Sequence, residues 1–150
     1  AEELRVPPGD IEAIVLGSHG DTMVPVDSHT TLKGVPVSQL MEREKLNAII
    51  ERAKQGGAEI VDLLKSGSAW HAPSSSVVAM VEAILTDSKR VLPASAHLTG
   101  QYGIEDIYIG VPVKLGSAGI EEIHEITLSE EELEGLRRSA QAVRETLKKI

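Results

Sequence analysis

The sequence predicts an α+β fold, a mostly antiparallel sheet packed with helices, in a single domain over residues 1–150. The first reason is order: strand-like stretches, then helical ones, then strand-like stretches again and one last helix. Regular βαβ alternation, which would build a parallel sheet, is absent. The second is size, since 150 residues with 41% hydrophobic content suffice to bury a core in an ordinary globular chain. The third is continuity, with no internal repeat, low-complexity tract or linker dividing the chain.

Ala1 to Leu4 read as the tail of a helix, which implies a segment upstream, and Pro7-Pro8-Gly9-Asp10 as the turn after it. Ile11 to Leu16 is an apolar run of strand length. Met23 to Val26 and His29 to Lys33 look extended, with Gly34 and Pro36 breaking the second into a hairpin-like connection. Ser38 can cap a helix running to about Gln55, its apolar face formed by Leu46, Ile49, Ile50 and Ala53, with Gly56-Gly57 as its end. A shorter helix follows from about Ala58 to Lys65, stopped by Gly67. The hydroxyls of Ser74, Ser75 and Ser76, behind Pro73, can cap a helix to about Ser88. Val77, Val78, Val81, Ile84 and Leu85, with Ala79, Met80 and Ala83, make it apolar nearly all round, which predicts a central, buried helix.

Arg90 to Leu98 and Ile107 to Val113 read as strands joined through Gly100-Gln101-Tyr102-Gly103, and Pro93 and Pro112 mark them as irregular or edge strands. Ile120 to Ile126 reads as a further strand. Ser129-Glu130-Glu131-Glu132 is a capping box that opens a final helix, with Leu133, Leu136, Ala140, Val143 and Leu147 on one face.

Composition removes several classes of function. A net charge of -8 disfavours nucleic acid, which selects basic surfaces, and no apolar run approaches the length of a membrane span. The first residues carry no secretory-signal pattern, and the expectation is a cytoplasmic protein with neither membrane nor nucleic-acid partners. Without cysteine there is no thiolate chemistry. The aromatic content is unusual: no Phe, and only Trp70, Tyr102 and Tyr108, so the core rests on Ile, Val, Leu and Met.

The stretch with most chemical content is Gly17-Ser18-His19-Gly20-Asp21-Thr22-Met23-Val24-Pro25. Its leading strand ends where two glycines bracket a histidine. With no Cβ on either side, the backbone can pass close to a ligand, and imidazole titrates near neutral pH. His19 is therefore a candidate proton donor or acceptor, although a turn histidine bonded to nearby backbone fits the local pattern equally well. The five histidines, His19, His29, His71, His97 and His124, show no metal-ligand spacing. No Gly-x-Ser-x-Gly is present. The pairs Gly17/Gly20, Gly100/Gly103 and Gly116/Gly119 do not complete a dinucleotide-binding fingerprint.

That segment resembles the active-site histidine segment of the lactate/malate dehydrogenase family, most closely its lactate-dehydrogenase-like malate dehydrogenases. Thr30-Thr31, Gly34-Val35-Pro36, Lys54 to Leu64, Gly67-Ser68-Ala69, Ala72-Pro73, Val91-Leu92-Pro93, Tyr102-Gly103-Ile104 and Gly110 to Val113 fall in the family's order, so the resemblance covers essentially the whole chain. It is to the C-terminal substrate domain alone, the NAD-binding Rossmann domain being absent. The resemblance implies that His19 corresponds to the histidine relaying a proton as hydride moves between NADH and a keto acid. The aspartate that orients it and the arginines that clamp the substrate carboxylate precede residue 1, and Asp21 does not replace that aspartate. Ser68 and Ala69 match a segment flanking the substrate pocket.

By this resemblance the chain alone binds no cofactor, and NAD belongs to the intact enzyme. Its partners are a dicarboxylic or 2-keto acid substrate in that enzyme, and either an NAD-binding N-terminal half or further copies of itself. The alternatives are an isolated folded domain, engineered or ancestral, with no catalytic function, and one half of a split enzyme. His29, Trp70, His71 and His97 stand where the family commonly carries Tyr or Phe, which suggests surfaces made more polar to suppress association.

Overall fold

Among residues 1–149, which the computed structural model describes, the elements run β1 (Ile11–Leu16), β2 (Val24–Leu32), β3 (Val35–Pro36), α1 (Arg43–Lys54), α2 (Gly56–Leu64), α3 (His71–Leu85), β4 (Arg90–Thr99), β5 (Glu105–Gly116), β6 (Gly119–Ile123) and α4 (Glu130–Leu147). The α+β class is as expected, with the strands divided between two antiparallel sheets of order β1-β2-β3 and β4-β5-β6.

β1 and β2 enter the core through Leu16, Val24 and Val26, and β5 contributes Ile107, Ile109, Val111, Val113 and Leu115 by strict alternation. Leu136 and Ala140 of α4, both fully buried, close the core from a third side. The space between α4 and β2 is narrow: a Cβ on Gly135 would stand 3.4 Å from Val24 Cγ2.

The extended stretches on either side of Asp27-Ser28 form one strand with a wide bulge. Pairing steps from Glu12↔Thr31 to Ile14↔Val26, leaving extra residues on β2 that the Thr30 hydroxyl ties back to Val26 O at 2.8 Å. The β2–β3 turn, Lys33-Gly34, has positive φ at both residues (49° and 82°), the backbone that suits a two-residue hairpin. The capping box at Ser129 forms as expected, with Glu132 N–H donating to Ser129 Oγ at 3.2 Å and Ser129 N–H to Glu132 Oε2 at 2.8 Å.

Several expectations need correction. The first residues are not among them: Val6 N–H donates to Ala1 O at 3.2 Å and Arg5 N–H to Glu2 O at 3.1 Å, with Arg5 at φ 54°, the bonding that ends a helix, so the turn over residues 2–5 agrees with a helix tail. Ser38 lies in a 3-10 turn, and α1 begins only at Arg43, with no side-chain cap. Gly56-Gly57 open α2 instead of ending α1, and Lys65, at φ 62°, terminates α2 ahead of Gly67. The serines behind Pro73 lie inside α3, where Ser76 Oγ donates to Ala72 O; Pro73 falls in the first turn, where its missing N–H costs nothing. The third strand of the second sheet, β6, ends at Ile123, short of Ile126.

Two corrections concern burial and position. α3 is not a buried central helix: Val77, Val78 and Leu85 are 59%, 64% and 80% exposed, and only Ala83 is fully buried. A helix apolar nearly all round carries more apolar surface than one sheet can cover. β5 is not an edge strand but the centre of its sheet, despite Pro112. Pro112 pairs opposite Pro93 and turns its carbonyl toward β6, where it accepts from His124 N–H at 2.9 Å. Its missing N–H therefore falls where β6 has already ended, and that of Pro93 faces the open edge of β4.

Candidate functional site

The loop carrying His19 leaves the end of β1 and is fastened before it turns. Gly17 makes an isolated antiparallel bridge to Gly110 in β5, with N–H···O distances of 2.9 and 3.0 Å in the two directions. Both glycines are required by contact. A Cβ on Gly110 would lie 2.6 Å from Gly17 O, and one on Gly17, whose φ is +89°, would lie 2.7 Å from Ser139 Oγ. The bridge is the hydrogen-bonded seam between the two sheets, and His19 hangs two residues beyond it.

The next residue is held by α4. Ser18 N–H donates to Ser139 Oγ at 2.8 Å. Ser18 Oγ and Thr22 Oγ1 lie 2.6 Å apart, and each lies 3.3 Å from Ser139 Oγ. Met23 N–H then donates to Gly20 O at 3.0 Å, closing the turn. The loop backbone is thus fixed before and after His19, while the ring is exposed and no described side chain is hydrogen-bonded to it. Asp21 is exposed as well and makes no bond to His19. The turn-histidine alternative, a ring tied to nearby backbone, does not match this arrangement.

Ser68 and Ala69 sit in the connection between α2 and α3, Ser68 exposed and Ala69 half-buried, with Ser68 O accepting from Trp70 N–H at 3.0 Å. No hydrogen bond among the described residues joins this segment to the His19 loop. A cleft of about 700 Å³ opens between α1, β2 and the start of α4; it is lined by charges of both signs, including Asp27, Arg43, Lys54 and Arg138, and meets the His19 loop only at Met23. The imidazole is exposed and does not line this cleft. As it stands the ring can take or give a proton, and among the described residues no side chain is hydrogen-bonded to it.

Two residues support this region that sequence reasoning did not connect with it: Ser139, which it passed over, and Glu132, which it read only as part of the capping box. Ser139 is fully buried on the inner face of α4, and Glu132, 6% exposed, lies two turns earlier on the same face. Glu132 accepts from Ser28 N–H at 3.0 Å and from Ser28 Oγ at 2.8 Å, which satisfies the N–H that the β2 bulge leaves out of the ladder. Burial pushes the Glu132 carboxyl up, but the donors from Ser129 and Ser28 outweigh it and hold the group below its ordinary value. The signal for both was available: each is a polar side chain on the face that Leu136 and Ala140 mark as buried.

Comparison with known proteins places these features in context. The family model described as lactate/malate dehydrogenase, alpha/beta C-terminal domain, matches residues 1–150. The malate dehydrogenase of Methanosarcina barkeri is 51% identical over 150 residues, all of this chain and 49% of that protein. The solved malate dehydrogenase of Salinibacter ruber superposes with a TM-score of 0.95 at 48% identity, covering 99% of this chain and 48% of that one. The lactate dehydrogenase of Eimeria maxima, solved with NADH and oxamate, gives a TM-score of 0.94 at 40% identity over 99% of this chain and 48% of that one. The chain spans about half the length of the curated relatives it matches.

Proposed function

Because the chain belongs to the lactate/malate dehydrogenase family as its α/β C-terminal domain, we propose that it is the substrate half of an NAD-dependent malate dehydrogenase, with His19 as the proton relay. One observation carries this reading: the loop backbone is fastened on both sides of His19 by the Gly17–Gly110 bridge and the Ser18, Thr22 and Ser139 hydroxyls, yet the ring itself is left free. A group whose support is rigid and whose own bonding is unfilled is suited to meet a partner supplied from outside. When bound in the complete enzyme, NADH supplies the hydride; this chain contributes the proton at the imidazole. Oxaloacetate reduction needs that proton on the carbonyl oxygen as the alcohol forms.

The carboxylate that would orient His19 and the guanidinium that would clamp the substrate belong to the N-terminal half. Ser68 and Ala69 flank the substrate pocket in this reading. The apolar side chains exposed on α2 and α3, Leu63 at 75% and Leu85 at 80% among them, need cover from that half or from a second copy of the chain.

The test is to mix the chain with the separately produced N-terminal half of the M. barkeri relative and follow NADH oxidation with oxaloacetate, with light scattering on the same samples. Turnover from the mixture and none from the chain alone is expected. Turnover by the chain alone, or an inert mixture in which scattering shows a complex, contradicts the proposal.

A further inference from the structure

A serine inside a helix usually returns its hydroxyl to the carbonyl four residues back or turns it to water. Ser139 does neither. It is fully buried, and its Oγ is directed to a loop 121 residues away in sequence, accepting Ser18 N–H at 2.8 Å and lying 3.3 Å from both Ser18 Oγ and Thr22 Oγ1. The three hydroxyls form a closed triangle whose two loop corners, Ser18 and Thr22, stand on either side of His19. The approach depends on a bare backbone at Gly17, since a Cβ there would overlap Ser139 Oγ. The helix presenting this hydroxyl is itself clamped two turns earlier, where Glu132 takes the two donors of Ser28.

We propose that Ser139 is a positioning residue: by fixing Ser18 and Thr22 together it sets the direction in which the His19 ring leaves the loop. This rests on His19 as the working group, because a loop around an idle histidine would gain nothing from such fixing. Ser139 touches no reacting atom and acts only through the loop backbone. Its loss removes the acceptor of Ser18 N–H and two edges of the triangle, while the Gly17–Gly110 bridge and the α4 core contacts of Leu136 and Ala140 stay in place.

The experiment compares Ser139→Ala with Ala140→Gly, which loosens the same helix but has no hydroxyl in the loop, and with Thr22→Val, which removes a loop corner. In the free chain, amide hydrogen exchange at Ser18 should speed about fivefold to tenfold in Ser139→Ala relative to exchange at Gly17, as the loss of one hydrogen bond dictates. The His19 ring resonances should shift, and Thr22→Val should move them the same way; Ala140→Gly should leave both unchanged. In the complex with the N-terminal half, Ser139→Ala should lower kcat about tenfold with KM within twofold, because alignment is lost and binding is not. An unchanged Ser18 exchange rate and unchanged ring resonances in Ser139→Ala overturn the proposal. So does an unaltered kcat in a complex that His19→Ala inactivates, and there the functional reading survives. A complex indifferent to His19→Ala overturns both.

Discussion

The meeting of β1 and β5 at Gly17 and Gly110 makes a prediction that separates crowding from backbone strain. Gly110 has no positive φ, so alanine there is strained only by contact, its Cβ falling 2.6 Å from Gly17 O. The obstacle is backbone and cannot swing aside, so the bridge must open. Its two hydrogen bonds contribute about 1 kcal/mol each, and displaced neighbouring packing adds about 1–3 kcal/mol. Gly110→Ala should therefore cost about 3–5 kcal/mol, a fall in Tm of about 6–20 °C for a domain of this size. Gly119 supplies the complementary case, with φ +87° and nothing within 4 Å of an added Cβ; strain alone predicts about 1–2 kcal/mol. Gly57, helical in α2 and open around its Cα, has neither penalty, and Gly57→Ala should stabilise by about 0.5–1 kcal/mol. Urea and thermal melts by circular dichroism rank the three variants. The Ser18 amide resonance should move in Gly110→Ala and stay fixed in the other two. If Gly110→Ala proves no more damaging than Gly119→Ala, the tight seam between the sheets is wrong.

Two further predictions follow from side chains. The Glu132 carboxyl is held below its ordinary value by its hydrogen bonds, so the folded state binds that proton less readily than the unfolded chain. Its contribution is complete above the ordinary carboxylate pKa of about 4.3 and fades as pH falls through the lower folded value. Glu132→Gln should cost about 1–2 kcal/mol at pH 7 in urea melts, with the gap to the parent chain narrowing by pH 3; a gap that stays constant refutes the ionised clamp. At the surface, His71 and His97 are exposed and His29 is half-buried beside Ser28 Oγ, 3.0 Å from its Nδ1. Tyrosine at all three should raise the mass seen by light scattering through added apolar area, and an unchanged mass argues against histidine as a solubilising choice there.

How much was legible from sequence depended on whether the signal was local. The capping box at Ser129 and the hairpin-like connection at Gly34 are written in short windows, and both form, the turn falling on Lys33-Gly34. Ser38 and the serines behind Pro73 had the same local credentials but lost to neighbouring turns and first-turn geometry. The burial of α3 was misjudged because apolar content reports what a helix could bury, and the area available to cover it depends on the rest of the fold. Pro112 misled for a related reason: a proline in a central strand is harmless when the ladder ends beside it, and that end is set by β6.

The site divides in the same way. His19 was visible because its motif is contiguous, and the glycines around it announced a close approach without saying to what. Their counterparts, Gly110 and Ser139, lie 93 and 121 residues from Gly17 and Ser18 and have meaning only once the chain has folded. Ser139 was legible in principle as a polar residue on the face of α4 that Leu136 and Ala140 bury. Its target was not.

The proposed role of His19 is that of a working proton relay whose orienting and clamping groups are supplied by an N-terminal half. The most direct measurement is the rate of NADH oxidation with oxaloacetate in the complex with an N-terminal half, for the parent chain and for His19→Ala at equal complex formation by light scattering. His19 is exposed and bonded to no described side chain, so its removal should change stability by no more than about 0.5 kcal/mol while lowering the rate by at least about a hundredfold, the contribution expected of general acid catalysis. A His19→Ala complex that turns over at the parent rate would contradict the claim.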